Sequence, residues 1–399
     1  MKFWDNKGNI AVMAALTAPL LVGGAGLGVE TGYWYYEQLR LQQAADAAAY
    51  AAALEHLAGF EDKMEPRAET AAALNGFDSP ENVHIYWPSQ AYPADERTVD
   101  VELVHYVPRA FSAVFGEDVV TIRAKATAKY DPSSNACLLA LSTSAPGAIY
   151  ISGNGAMNIT GCVVSSNSIS PTSINAQGSS MSSMPCMSTA GGVSLNANVT
   201  LTSCDAPITG LPPVADPYDS VPLPTPGACK NWPGSGNHTP GTYCGNIPGI
   251  HNRIHTFAAG TYIFDGADLA VNGSMGGGMS CPDGCTFVFM NGASVSMNGN
   301  PTIAIAAPTA GTYAGMLFMG DDSVEDFTFN GNPSSSTMTG VIYFPAGNVQ
   351  YNGSFTGFNG CTQVVANTIT WTGNTQLSVD CSAQGMSVIQ IGGRPYLVG

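Results

Sequence analysis

The densest group of acids in the second half of the chain is Gly320-Asp321-Asp322, followed closely by Glu325 and Asp326. Two carboxyl groups at a fixed separation, one protonated and one ionised, are what glycoside cleavage needs. The same four side chains are hard oxygen donors of the kind calcium takes. A solvated acidic loop uses them with no chemistry at all, and that reading is preferred, with calcium a weak candidate and hydrolysis a weaker one. His251 and His255 are four apart, with His238 nearby, a spacing that on a helix would aim two imidazoles at zinc. The intervening Asn252-Arg253-Ile254 lacks a metalloprotease glutamate, and no helix is expected there, so loop histidines are the simpler account. Cys281 and Cys285 flank Pro282-Asp283-Gly284, which is turn chemistry closed by a local disulfide rather than a metal site. Gly276-Gly277-Gly278 is followed by no Lys or Ser/Thr in the register of a phosphate cradle and reads as a flexible turn.

Enzymes built on a β-helix set a sterner test. The polygalacturonase constellation would require Asn-Thr-Asp, Gly-His-Gly and Arg-Ile-Lys, and none of these occurs. A polysaccharide lyase needs an Arg or Lys base, yet from residue 133 onward the basic residues are only Lys230, Arg253 and Arg394. The chain is therefore expected to be noncatalytic and to carry no cofactor. A glycan- or surface-binding, adhesin-like module is the alternative. Tyr351, Phe355, Phe358 and Trp371 could stack on sugars, although aromatic side chains on stacked strands more commonly pack against one another.

These residues must be positioned by a mainly β architecture. Of 399 residues only 11% are charged, while 45% are hydrophobic and glycine (46) and proline (26) are abundant. A typical soluble domain has about a quarter charged. The net charge of −16 opposes any grip on phosphate backbones, so nucleic acid is excluded as a partner. From 133 to 399, short apolar runs such as 286–290, 302–306, 316–319, 341–344 and 363–366 alternate with Asn-Gly and Gly-Asn turns. Turn glycines at 273, 292, 331, 353 and 373 suggest a period near 20 residues. Such a period predicts a β-solenoid, parallel β-helix-like, in which each coil buries its apolar face on the next. A β-sandwich is the alternative. A proline-rich insertion at about 205–250, with Pro212-Pro213, Pro222, Pro224 and Pro226, cannot be a central strand and is expected to be a surface excursion stapled by Cys229 and Cys244.

The amino-terminal third differs. Ile10 to Val29 contains no charge and at 1.5 Å per residue reaches about 30 Å, a bilayer core. Lys2 and Lys7 precede this span, and Glu30 and Glu37 follow it, which leaves the amino terminus in the cytoplasm. Small residues at Gly23, Gly24, Ala25, Gly26 and Gly28 keep a cleavable signal peptide open as an alternative. Tyr33, Trp34, Tyr35 and Tyr36 form an aromatic cluster at the interface, and the alanine-rich run 44–53 continues the helix as a stalk through residue 58. Residues 59–132 read as a small α+β unit. A helix at 64–74 stops at Asn75-Gly76, strands follow at 83–87, 98–106 and 119–130, and a short helix is expected within 108–115.

The ten cysteines lie at 137, 162, 186, 204, 229, 244, 281, 285, 361 and 381, all beyond the first third. An even number confined to one region predicts disulfides in an exported body. Sequential pairing joins Cys137 to Cys162, Cys186 to Cys204, Cys229 to Cys244, Cys281 to Cys285 and Cys361 to Cys381. The loop gaps approximate one coil in three of these pairs.

Three stretches carry a resemblance to a known family. They are Gly8-Asn9-Ile10-Ala11-Val12, Ala18-Pro19-Leu20 with Gly26-Leu27-Gly28-Val29-Glu30, and Leu41-Gln42-Gln43 running into Ala44-Ala45-Asp46. Together they resemble the amino-terminal module of TadG-like proteins of bacterial tight-adherence (Flp) pilus assembly systems. Val107-Pro108 to Phe115-Gly116 and the phrases around 260–264, 313–318 and 340–345 are similar to other parts of such proteins. The resemblance implies a single-pass anchor in the bacterial inner membrane, a periplasmic or surface-facing body, and pilus-assembly or envelope proteins as partners. In related pseudopilins a glycine is followed five positions on by a glutamate that the prepilin peptidase requires. Here Met13 stands at that place after Gly8, so the span is expected to remain an anchor.

Overall fold

The computed structural model describes residues 7–116, 119–130, 134–153, 156–324, 326–331, 337–353, 355–372, 375–378, 386, 389–391 and 395–398. These fall into two compact units, Met1–Asp131 with Arg394–Gly399, and Pro132–Gly393.

The first unit is organised by α1 (Lys7–Leu57), a continuous helix of 51 residues that runs through Pro19. Its two halves have opposite surfaces. Val12, Met13, Leu16, Leu20, Leu21, Val22 and Val29 all stand exposed, whereas Leu41, Ala44, Ala45, Ala48, Ala49, Ala52 and Ala53 are fully buried. The second set recurs every three to four residues, one stripe of a helix. It lies on an antiparallel sheet of β1 (Val83–Tyr86), β2 (Thr98–Val107) and β3 (Val120–Lys129), with Tyr396–Leu397 added beside β3. Along β3, Ala124, Ala126 and Ala128 face inward. Alanine meeting alanine lets helix and sheet approach closely and extends the core without large side chains. The short helix α2 (Met64–Leu74) turns back onto α1 through Met64, Ala68 and Ala72, and Arg67 Nε donates to Glu55 Oε1 at 2.8 Å. It stops where Gly76 takes φ +92°, a left-handed conformation that suits glycine. Asp100, buried in β2, accepts from Ser89 Oγ, Thr127 Oγ1, the Gln90 N–H and Lys125 Nζ. Burial pushes its carboxyl upward, but Lys125 and the three neutral donors outweigh burial and hold it below the usual carboxylate range.

The second unit is a parallel β-helix. One face stacks, in spatial order, the strands Cys229–Lys230, Gly241–Cys244, Gly260–Asp265, Cys285–Met290, Met316–Gly320, 340–344, 362–366, β4 (Ser134–Ala140), Val163–Ser166, Met187–Thr189 and Ile208–Thr209. All these neighbours are parallel, which rules out the β-sandwich, whose sheets are antiparallel. A second face carries Leu269–Asn272, Val295–Asn298, Asp326–Gly331, 348–351, 369–371, Ile149–Ile151, 174–176 and 193–195. The third includes Ile254–Phe257, Gly278–Cys281 and Thr302–Ala306.

Spatial order departs from chain order at one place. The chain enters the β-helix at β4, in the middle of the stack, and winds outward to Ile208–Thr209. It then crosses to the far end at Cys229 and winds back until 364–366 pairs with 138–140. The crossing is made by the proline-rich segment, which lies lengthwise over the first face as a strap. The Leu211 N–H donates to Thr189 O, the Val214 N–H to Asn167 Oδ1, Tyr343 Oη to Asp216, Tyr218 Oη to Gln363, Tyr313 Oη to Pro222 O, and the Gly227 N–H to Thr242 Oγ1. The geometry closes. Roughly eight steps of about 4.8 Å make about 38 Å, and about sixteen residues of polyproline geometry at about 3.1 Å reach about 50 Å. Proline suits the task because it holds the chain extended and offers no N–H for a ladder.

The strap explains why first-face strands read as unbroken apolar runs. Phe287, Phe289, Phe318, Phe344 and Val364 point into the main core, while Val288, Met316, Met319, Val341 and Val365 point outward into a second core closed by Tyr218, Val214 and Val221 of the strap and by Met386, Ile389 and Ile391. Strands buried on both faces lose the alternation of half-buried ones. Inside, rings stack from coil to coil: Tyr262 on Phe287 at 5.5 Å, Phe287 on Phe318 at 5.4 Å, Phe264 on Phe289 at 5.0 Å and Tyr351 on Trp371 at 4.3 Å.

The glycine period needs correcting. Asn272, Asn298, Asn330 and Asn352 occupy equivalent places on successive coils. Asn330 Nδ2 donates to Asn298 Oδ1 across 32 residues, and Asn352 Nδ2 to Asn330 Oδ1 across 22. The glycines that follow these asparagines are Gly273, Gly299, Gly331 and Gly353. Gly292 belongs to the preceding turn, with Asn291. Coils therefore vary in length, and Gly373 lies outside the described residues.

Candidate functional site

The acids at 320–326 sit where the first face turns toward the second, and their geometry is that of a coil joint. Asp321 Oδ2 accepts from the Asn291 N–H at 3.0 Å, and Oδ1 from the Ser323 N–H at 2.9 Å and from Ser323 Oγ. Asn291 Nδ2 in turn donates to Asp265 Oδ1 at 2.6 Å, so Asp265, Asn291 and Asp321 tie three successive coils. One coil corner along, Asp268 Oδ1 accepts from the N–H and Oγ of Ser294. Both oxygens of Asp321 are thus engaged, Oδ2 by the neighbouring coil and Oδ1 within its own turn. Asp322 and Asp326 are surface residues, and Glu325 lies outside the described residues. Among the described residues no three His, Cys, Asp or Glu side chains converge as metal ligands would.

The histidines are brought together differently from their spacing. His255 lies in the strand Ile254–Phe257, so no helix pairs it with His251, which is exposed. Its partner is His238 on the adjacent coil, with Nε2 of His238 2.8 Å from Nδ1 of His255. Trp232 lies against His238 at 4.0 Å between ring centroids, and Phe257 stacks on it at 4.5 Å. His238 is 2% exposed, and its Nδ1 has no hydrogen-bond partner among the described residues. Burial, with His255 close by, pushes His238 down to about 4. Burial lowers His255 too, helped by Arg253 and His251. A pair of neutral imidazoles sharing one hydrogen bond is what this box holds.

The remaining sequence candidates also resolve into packing. Tyr351 and Trp371 are each 1% exposed and offer no face to a sugar, while the side chains of Phe355 and Phe358 lie outside those described. Within the triple glycine, Gly276 makes the turn in open space at φ +85°, whereas Gly277 and Gly278 are close-packed. A Cβ at Gly277 would stand 2.2 Å from Asn272 O, and one at Gly278 2.1 Å from Thr302 O. Disulfides join Cys137 to Cys162, Cys186 to Cys204, Cys229 to Cys244 and Cys281 to Cys285. Cys361 is also disulfide-bonded, and Cys381 lies outside the described residues. The asparagine ladder and the Trp232 box went unread in the sequence. The recurrence of Asn-Gly at 272, 298 (as Asn298-Gly299), 330 and 352 was the available signal for the ladder.

The element with a distinct surface is the first half of α1. The helical stretch from Val12 has mean hydropathy 1.8 over its most apolar 18-residue window, of which 6% is buried, so by length and composition it can cross a membrane. At its lower edge two positions are covered, Gly26 and Glu30. The Glu30 carboxylate is 3% exposed and accepts from the Ala110 N–H at 2.6 Å, the Ser112 N–H at 2.7 Å and Ser112 Oγ at 3.0 Å.

A family model described as putative Flp pilus-assembly TadE/G-like matches residues 8–55, nearly the whole of α1. No curated protein and no solved structure matches the chain.

Proposed function

We propose that this chain, carrying a Tad domain at residues 8–55, is a noncatalytic, membrane-anchored accessory of a bacterial Flp pilus-assembly system. The observation that carries the reading is the coincidence of the matched region with a helix of two characters, apolar and bare through Val29, then packed on a sheet by its alanines. In this reading the first half of α1 crosses the inner membrane once. Lys2 and Lys7 stay on the cytoplasmic side, and Glu30 and Glu37 mark the exported side. The disulfides of the β-helix suit an oxidising periplasm or surface. The body, with few charges and no described metal cluster, acts by contact with assembly or envelope proteins.

Cell fractionation with protease treatment of spheroplasts tests this. The chain should resist carbonate extraction, and its β-helix should be digested from outside with the first half of α1 protected. A soluble cytosolic protein, or undiminished pilus assembly in a strain lacking it, would overturn the proposal. Sugar release by the wild type that disappears in Asp321→Asn/Asp322→Asn would overturn the noncatalytic part alone.

A further inference from the structure

The loop after β2 carries an apolar tip that stays largely exposed among the described residues. Phe111 is 50% exposed, Val114 86% and Phe115 79%, on a single turn of 3-10 helix at Ser112–Phe115. Three clustered side chains of this kind are costly in water, at a place where the chain could have used serine or asparagine. Their position relative to α1 is fixed from both sides. The Phe111 ring lies across Gly26, where an added Cβ would come within 2.5 Å of Cδ1, so only glycine lets the ring seat on the helix. One turn along, the Glu30 carboxylate holds the backbone N–H groups of Ala110 and Ser112. The loop is thus clamped to the helix across 82 residues of sequence by a buried acid and a ring on glycine.

Gly26 lies inside the exposed apolar stretch, which continues to Val29. Three residues of helix are about 5 Å, and apolar side chains of interfacial segments settle about 5–10 Å into the boundary between headgroups and acyl chains. Resting on the membrane-anchor reading, we propose that Phe111, Val114 and Phe115 insert into the outer leaflet beside α1, making a second lipid contact for the same unit. The occupant is lipid because Phe111, at the base of the exposed tip, rests on Gly26 inside the apolar stretch that the anchor reading places in the bilayer. A single helix leaves the unit free to spin and tilt; a wedge fixed beside it sets which side faces the membrane.

The test uses the full chain in vesicles of phosphatidylcholine and phosphatidylglycerol, with lipids brominated near the headgroup or deep in the chain. Three variants are compared with the wild type, whose own tryptophans set the background. Leu20→Trp reports the span, Phe115→Trp the wedge, and Leu74→Trp an exposed site on α2. The expected result is a blue-shifted Phe115→Trp emission that loses most of its intensity to shallow bromines, with Leu20→Trp quenched by deep bromines and Leu74→Trp unaffected. Quenching at 20 without quenching at 115 overturns the wedge and leaves the anchor standing. No quenching at 20 overturns the anchor itself. A blue shift at 115 that grows with protein density, without bromine quenching, assigns the tip to a protein partner and also overturns the proposal.

Discussion

His238 and His255 remain neutral because a proton on either would put a cation among Trp232, Phe257 and Tyr243. An unfolded histidine titrates near 6.5 and His238 in the fold near 4, so the unfolded chain binds more protons between these values. Stability of the β-helix is therefore fully present above about pH 6.5 and is lost as pH falls toward 4, by up to about 3 kcal/mol. Urea midpoints measured between pH 7.5 and 4.5 should fall, and His238→Phe should flatten the slope; an equal slope in the variant refutes the assignment. Asp100 acts in a lower window, because its folded value is held below an unfolded value near 3.9. Its contribution is present above pH 4 and lost below, and Asp100→Asn should remove that acid limb from the first unit only. In the ladder, Asn330→Ala strips a partner from both Asn298 and Asn352 and should cost about 1–2 kcal/mol, read as a lower thermal midpoint. At this scale the sequence was legible where the residue type itself names the partner, as cysteine does in a disulfide. Cys229 and Cys244 are 15 residues apart and find each other on adjacent rungs, whereas the histidine pair needed a coil register that spacing alone does not contain.

Elements were readable by pattern, and misread where two patterns compete. The alanine-rich run of α1 was legible as helix from its propensity though not as a buried face, and β3 was legible from its alternation, because one of its faces is buried. The strands at 285–290 and 340–344 did not alternate, and the missing alternation is the trace of the strap lying over them. Proline density marked 205–250 as no central strand, which fits 211–227 but not Gly241–Cys244, a rung paired on both sides, and it could not say that the strap runs the length of a sheet. Its docking includes Asp216, which burial pushes above the usual carboxylate range although the Tyr218 N–H and Tyr343 Oη donate to it. A raised carboxyl has the opposite sign to Asp100: the fold binds the extra proton, so this contribution weakens as pH rises through the shifted value. Asp216→Asn keeps an oxygen for Tyr343 and removes the charge. It should slow hydrogen exchange across 211–227 at pH 7 by several-fold and change nothing near pH 3; exchange faster than wild type at pH 7 would show that the charge helps.

At the scale of the whole β-helix, the outward half through Ile208–Thr209 and the returning half from Cys229–Lys230 are joined covalently by the strap and laterally where 364–366 pairs with 138–140. Gln363 sits at this seam, donating to Ala136 O and accepting from Tyr218 of the strap. The four located disulfides each stay within one half. A protease site inserted at Ser220 should therefore be cut without separating the halves on gel filtration at neutral pH, since strand pairing and two cores still hold them. Gln363→Ala combined with the cut should lower the urea concentration at which they part, and a cut protein that falls apart at neutral pH without that change would show the seam to be weaker than its packing implies. The period near 20 revealed the class of fold, but a circularly ordered stack leaves no mark on composition, because each rung satisfies its neighbours whichever way the chain travels.

That order has a kinetic side. During synthesis β4 emerges before every other rung, yet one of its two edges is closed only by residues made more than two hundred positions later. Until then a strand of Asn-Ala-Cys-Leu-Leu-Ala shows open N–H and C=O groups to whatever passes. Contacts so remote along the chain form slowly, so completion of the stack acts as a checkpoint: a chain interrupted anywhere before 364–366 is left with a sticky central edge, and a holdase or protease should meet it first.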